Sequence, residues 1–184
     1  MSYRFSDDPI RGFRGDFFFL SNMYLSPVIF LHGQFRCAEA AYQSCKCKKL
    51  EDRVKFFHVD GYRAKRLSKT VDLIEDWDNI RLSFMAYVVQ HKFENPDMRK
   101  KMLLTGNREL IEENNWGDTF WGTVNGVGEN HLGIILMNVR KKIQISEVQK
   151  QTGVTATLAE EYLNQTLCDV HDAIMLHKRL NHPS

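Results

Sequence analysis

The chain has 184 residues, a length that fits one domain with room for a terminal extension. Its hydrophobic share of 43% and charged share of 26% are those of a globular protein, and a net charge of +2 is too small to imply nucleic-acid binding by itself. No apolar run reaches the ~20 residues a membrane span needs, and Met1–Asp8 carries no apolar leader core. Cys37, Cys45, Cys47 and Cys168 are irregularly spaced, with no Cys-x-x-Cys pair. Cys45-Lys46-Cys47 with His58 matches no common zinc pattern. The expectation is a cytoplasmic protein with reduced thiols, no metal, no cofactor and no membrane contact.

In chain order, the aromatic and β-branched residues between 13 and 31 read as extended structure broken near Ser26-Pro27. His32-Gly33-Gln34 reads as a turn, returning through Phe35-Arg36 as a hairpin. Ala38 to Lys46 lacks Gly, Pro and β-branched residues and predicts a helix. Basic helical segments follow to about residue 69, interrupted at Asp60-Gly61. The basic clusters (Lys46 to Lys55, Arg63 to Lys69, Arg99 to Lys101) read as solvated helix faces, with phosphate steering as the alternative.

Asp76 to Asn79 offers an N-cap for a helix through Phe93, with Ile80, Phe84, Tyr87, Val88 and His91 on one stripe, widened by Met85, Val89 and Phe93. Asn95-Pro96 starts a shorter helix that ends at Thr105-Gly106. Glu109 to Glu113 reads as a strand or a brief helical turn. Leu132, Ile135, Leu136 and Val139 mark the inner face of a helix ending near Lys141-Lys142. Beyond residue 150, Thr157 to Glu160 has capping-box spacing, and Leu163, Leu167, Val170 and Ile174 form a stripe. That stripe predicts a helix packed on the core, with homodimerisation as the alternative.

The richest segment runs from Asp118 to Gly133, with Asp118, Trp121, four glycines and two asparagines before an apolar helix. A glycine-rich loop entering a helix places free N–H groups and a positive helix end at one point, which suits a phosphate. The other reading is a surface loop whose glycines serve tight turns. Trp116 and Trp121 are read as core or as a stacking face. Asp118 is read as a turn residue or as a ligand for sugar hydroxyls. Glu39 begins the first helix among apolar neighbours, with Gln43 and Lys46 four and seven residues on along one face. An acid, an amide and a cation together suit a phosphate-bearing ligand. Arg14-Gly15-Asp16 and Ser21-Asn22 bracket the phenylalanine cluster as turn residues or as ribose and base contacts. No phosphate-loop or nucleophile-elbow motif occurs, and no cysteine has an evident His partner.

Taken together, these segments resemble the NADAR family, also called YbiA-like proteins. The resemblance is carried by Phe13-Arg14-Gly15-Asp16 with Phe19-Leu20-Ser21-Asn22-Met23-Tyr24, and by Glu39-Ala40-Ala41-Tyr42-Gln43-Ser44-Cys45-Lys46. Lys92-Phe93, Asn95-Pro96 and Leu104-Thr105-Gly106 continue it, followed by Leu110-Ile111-Glu112, Trp116, Asp118, Trp121-Gly122 and Gly128 to Gly133. It covers roughly residues 13–142. It implies a helix-rich α+β fold with a small antiparallel element, as one YbiA-like catalytic domain over 1–149; residues 150–184 are expected from their own pattern to form a helical extension outside the resemblance. It also implies N-glycosidase chemistry on NAD-related or ADP-ribosyl conjugates, such as ADP-ribosylated guanine, or on a phosphoribosyl-pyrimidine intermediate of riboflavin synthesis. By the same resemblance Glu39 is the catalytic carboxylate. Arg14, Ser21, Asn22, Gln43, Lys46, Asp118, Trp121, Gly122, Gly128 and Asn130 are expected to bind the substrate, free or linked to nucleic acid. The family's histidine after the glutamate is Ala40 here, and its phenylalanine before the tyrosine is Met23. A non-catalytic ADP-ribose or NAD-binding module is the alternative.

Overall fold

The computed structural model describes residues 8–181. The leader reading of the N-terminus falls mainly on residues 1–7, which lie outside them. The architecture is α+β, with helices around two small β elements.

Strand β1 (Ile10–Arg11) leads into a 3₁₀ helix (Gly15–Leu20), where the sequence predicts extended chain. Gly12 and Gly15 take left-handed backbone (φ 60° and 53°) and turn the chain before the aromatic block can pair as a strand. Phe19 and Leu20 then enter the core. Strands β2 (Leu25–Phe30) and β3 (Gly33–Cys37) form the antiparallel hairpin. Pro27 does not break β2; the register instead shifts between Leu25 and Val28. The turn falls one residue earlier than expected, on Leu31 and His32 (φ 44° and 63°). Gly33 is needed there because a Cβ would collide with the Phe57 ring.

Helix α1 (Ala38–Ser44) is buried along its whole length, so its polar residues face packed protein. A second 3₁₀ helix (Leu50–Phe56) and α2 (Gly61–Leu67, capped by Asp60 accepting from the Arg63 N–H) carry the basic segment. Helix α3 (Trp77–Lys92) buries Met85, Val88, Val89 and Lys92. Tyr87, expected on its inner stripe, is instead 59% exposed. Helix α4 (Pro96–Leu103) is capped by Asn95 as predicted. Residues 110–111 resolve as strand β4 (Leu110–Ile111), parallel to β1.

Helix α5 (His131–Thr152) runs ten residues past the expected stop at Lys142 and ends at Gly153 in left-handed backbone. Arg140 and Gln144, on either side of the expected stop, are both buried and hydrogen-bonded. Arg140 donates to Thr105 Oγ1 (2.9 Å), and Gln144 donates to the Gly106 and Cys168 carbonyls (3.2 and 3.0 Å). The stripe thus continues through Ile143 and Val148. The C-terminal stripe is divided between α6 (Ala156–Gln165) and α7 (Val170–Asn181) by left-handed Leu167 and Cys168. Leu167 is 77% exposed, and the cap of α6 is Thr155, not Thr157. Val148, Ala159, Tyr162, Leu163 and Ala173 form a second apolar cluster beside the main core.

Candidate active site

Glu39 lies in the first turn of α1, 6% exposed. Its N–H donates to the Asn22 carbonyl (2.9 Å), which ties α1 to the loop before β2. Its Oε1 accepts from Gln43 Nε2 (2.7 Å), with Lys65 Nζ of α2 at 3.9 Å. A Cβ at Gly61 would collide with Met23 Sδ and crowd Glu39 Cβ and Cγ. The first turn of α2 therefore lies directly against the glutamate stem.

Asn22 Oδ1 and Gln43 Oε1, on the two residues hydrogen-bonded to Glu39, are buried without a hydrogen-bond partner, as is Glu112 Oε2 just after β4. A buried polar atom without a partner costs about 1–3 kcal/mol. Asn22 is fixed through its carbonyl and through Nδ2, which contacts Met85 Sδ (3.1 Å). Its loop is held from below by Lys92, fully buried, whose ammonium donates to the Leu20 and Ser21 carbonyls (3.1 and 2.8 Å). Burial pushes Lys92 down to about 7, opposed by Cys37 and Glu112. Ser21 Oγ accepts from the Met23 N–H (3.2 Å), so this side chain serves the turn.

On the other side of Glu39 an aromatic group closes the site. Tyr42 packs against Trp121 (5.6 Å, 82°) and Trp77 (5.4 Å, 51°). Burial, and next the Glu39 charge, raise the Tyr42 phenol well above its ordinary value, so it remains protonated. Lys46 is half-buried, with Nζ 5.8 Å from the Tyr42 ring centre and 5.6 Å from that of Trp77. Desolvation lowers its pKa, against the pull of Glu39. Arg81 of α3 stacks on Phe120 at 3.6 Å. Trp121 is half-buried within this aromatic group, whereas Trp116 is 61% exposed. Cys37 and Cys45 are buried thiols whose pKa burial raises, for Cys45 to about 12, so neither is a ready nucleophile.

The glycine-rich loop folds against itself. Asp118 Oδ1 accepts from the Phe120 and Trp121 N–H groups (3.2 and 2.9 Å), and the buried Asn114 amide donates to the Asp118 carbonyl (2.7 Å). The N–H groups of Asn130, His131 and Leu132 donate to the carbonyls of Gly122, Phe120 and Trp121. The free phosphate cradle expected at the start of α5 is therefore occupied by the loop's own carbonyls at these three amides. The Asn130 side chain clamps β4, accepting from the Glu112 N–H (3.0 Å) and donating to the Leu110 carbonyl (2.9 Å). Gly122 and Gly128 permit close backbone crossings: a Cβ at Gly122 would meet the Glu112 carbonyl, and one at Gly128 the Gly122 carbonyl. Exposed Arg14 lines a groove of about 560 Å³ with Arg11, Phe17, Asn114 and Asn125. Its charge is felt by Glu112.

The tertiary structure therefore gathers Glu39, Gln43, Lys46, Asn22 and Trp121, while Ser21, Gly122, Gly128 and Asn130 hold the frame. It also adds residues that sequence reasoning did not place in the site: Tyr42, Lys65, Arg81 and Glu112. Helical spacing gives no reason to single out Lys65 or Arg81 among so many basic residues, and only contact with the other elements distinguishes them.

A family model described as the NADAR domain matches residues 12–144. The chain belongs to the NADAR family. A riboflavin biosynthesis protein of Vibrio vulnificus is 34% identical over 131 residues, covering 68% of this chain and 35% of that protein. An N-glycosidase of Nostoc punctiforme is 43% identical over 77 residues, 41% of this chain and 49% of the relative. This NADAR chain thus spans half or less of the length of those two relatives. The NMR structure of the E. coli protein YbiA superposes with a TM-score of 0.69 at 24% identity, covering 79% of this chain and 90% of that one, and shows the shared fold.

Proposed function

We propose that this NADAR domain hydrolyses the C1′–N bond of a ribosyl-phosphate substrate, an ADP-ribosyl conjugate or a phosphoribosyl-pyrimidine, with Glu39 as its catalytic carboxylate. The observation that carries this reading is the setting of Glu39: buried, oriented by Gln43, beside Lys65, and next to acceptors left without donors. The N-glycosidase names of relatives support the reaction class.

Breaking a ribosyl C1′–N bond builds positive charge on the sugar. A carboxylate beside C1′ stabilises that charge or takes a proton from the attacking water. Gln43 and the Asn22 backbone fix the carboxylate, so little ordering remains when substrate arrives. The unpaired oxygens of Asn22 and Gln43 accept from sugar hydroxyls or from an amino group of the base. Lys46, Lys65, Arg81 and Arg14 supply cations for phosphate. Tyr42, Trp77 and Trp121 supply the apolar wall for a base.

The test is a turnover assay read by mass spectrometry. Wild type and Glu39→Gln each meet NAD, an ADP-ribosyl-guanine oligonucleotide and the phosphoribosylamino-pyrimidine of riboflavin synthesis. Base release by wild type, reduced about 10²–10⁴-fold or more in the variant with binding retained, is the expected result. A second reading, an ADP-ribose-binding module without turnover, draws on Ala40, fully buried where the family motif has histidine. ADP-ribose binding with no product from any panel member would decide for it.

A further inference from the structure

Glu112 follows β4, and its backbone is fixed at both ends. Its N–H donates to Asn130 Oδ1 (3.0 Å), its carbonyl accepts from the Thr123 N–H (2.9 Å), and Gly122 presses against that carbonyl. Its side chain has no comparable anchor, since Oε2 is buried without a partner. Glu39 stands in the opposite condition, accepting from Gln43 with an ammonium 3.9 Å away. The two carboxyl groups feel a common cation. Lys65, the ion-pair partner of Glu39, also acts on Glu112, and Asp118 acts on both Glu112 and Tyr42, which itself feels Glu39.

Asp118, Lys65, Arg14 and Lys92 are the charged groups that act on Glu112. Burial raises its carboxyl to about 7, Asp118 pushes in the same direction, and the three cations oppose without prevailing. A substantial fraction of Glu112 is therefore a neutral acid near neutral pH, with a proton to give.

We infer that Glu112 is the general acid of the reaction, protonating the departing base while Glu39 acts at C1′. The inference rests on the N-glycosidase reading above. It supplies the proton donor that Ala40 cannot. The step balances: the Glu112 O–H proton passes to the leaving nitrogen as that atom keeps the C1′–N electron pair. Water adds its oxygen to C1′ and gives a proton to Glu39. Solvent then returns one proton from Glu39 to Glu112. Two carboxyl groups in contrasting surroundings are the usual way one site runs acid and base chemistry together.

The test is the pH dependence of kcat/KM for base release from the phosphoribosylamino-pyrimidine and from the ADP-ribosyl-guanine oligonucleotide. Thermal melting and ADP-ribose affinity verify that each variant is folded. Wild type should lose activity as pH rises through about 7. Glu112→Gln should fall about 10²–10⁴-fold below that pH and lose the alkaline limb, while Glu112→Asp should keep the limb at lower rate. A Gln variant within a few-fold of wild type, or one that keeps the limb, overturns the acid role and leaves the glycosidase reading standing. If Glu112→Gln does not fold, a wild-type profile flat between about pH 6 and 8 also overturns it. No base release by wild type from either substrate removes the reading and the acid role together.

Discussion

The Glu39 face and the C-terminal helical layer are built from the same residue types to different standards. In the layer, α6 and α7 close on α5 through Val148, Tyr162, Leu163 and Ala173, and the buried polar groups there are paired, as Gln144 is with two carbonyls. On the Glu39 face, Asn22 and Gln43 each bury an unpaired oxygen, as Glu112 does just after β4, and Lys92 is fully buried. Folding alone favours the first arrangement, since unpaired buried polar atoms destabilise a native state. The unpaired oxygens of Asn22 and Gln43, the two residues bonded to Glu39, mark the face where stability is given up for binding and chemistry.

Several changes break or sharpen that contrast. The largest effect is expected from Gly122→Ala, whose Cβ would strike the Glu112 carbonyl. A loss of about 3 kcal/mol or more, read from urea denaturation, should accompany loss of turnover. Leu163→Ala empties part of the second cluster and should lower stability by about 2–4 kcal/mol while leaving turnover untouched. If turnover fell as well, the layer would not be separable from the site. Lys92→Met keeps the apolar stem but strips donors from the Leu20 and Ser21 carbonyls. It should cost about 1–3 kcal/mol and lower kcat/KM through the displaced Asn22 loop.

The same two buried groups shape stability against pH. Folded Glu112 holds its proton more tightly than the unfolded chain does, so its contribution grows as pH falls from about 7 toward 4.5. Folded Lys92 holds its proton less tightly, so its contribution grows as pH rises from about 7 toward 10.5. Denaturation midpoints should therefore carry a shallow dip near pH 7, whose acid side vanishes in Glu112→Gln and whose alkaline side vanishes in Lys92→Met. The smallest effect belongs to Lys141→Ala, which removes the exposed ion pair with Glu160 between α5 and α6. A change below about 1 kcal/mol is expected there.

Local signals set out most of the helices. The Ala-rich run at 38–44, the Asn95-Pro96 cap and the apolar spacing after residue 131 each act within a few residues, and the helices form there. The errors fall where distant partners decide. Arg140 and Gln144 look like the end of a helix until Thr105, Gly106 and Cys168 are brought to them. Leu167 fits a helical stripe until the chain turns at that residue to pack α7 beside α6. Asp118 to Gly133 reads as an open anion cradle, but its first helix amides meet carbonyls ten or more residues back along α5's own entry loop for His131 and Leu132, and eight back for Asn130.

Sequence by itself determined the family, the α+β class and the candidacy of Glu39 with Gln43 and Lys46, because each depends on ordered motifs or on spacing within one short helix. Tertiary structure decided which cations reach that carboxylate, which loop amides are already taken, and that Lys65 acts on Glu112 as well as on Glu39. Those outcomes depend on burial and on contacts across α1, α2 and β4. Desolvation and Coulomb interaction act through space, and the order of residues along a chain does not state those distances.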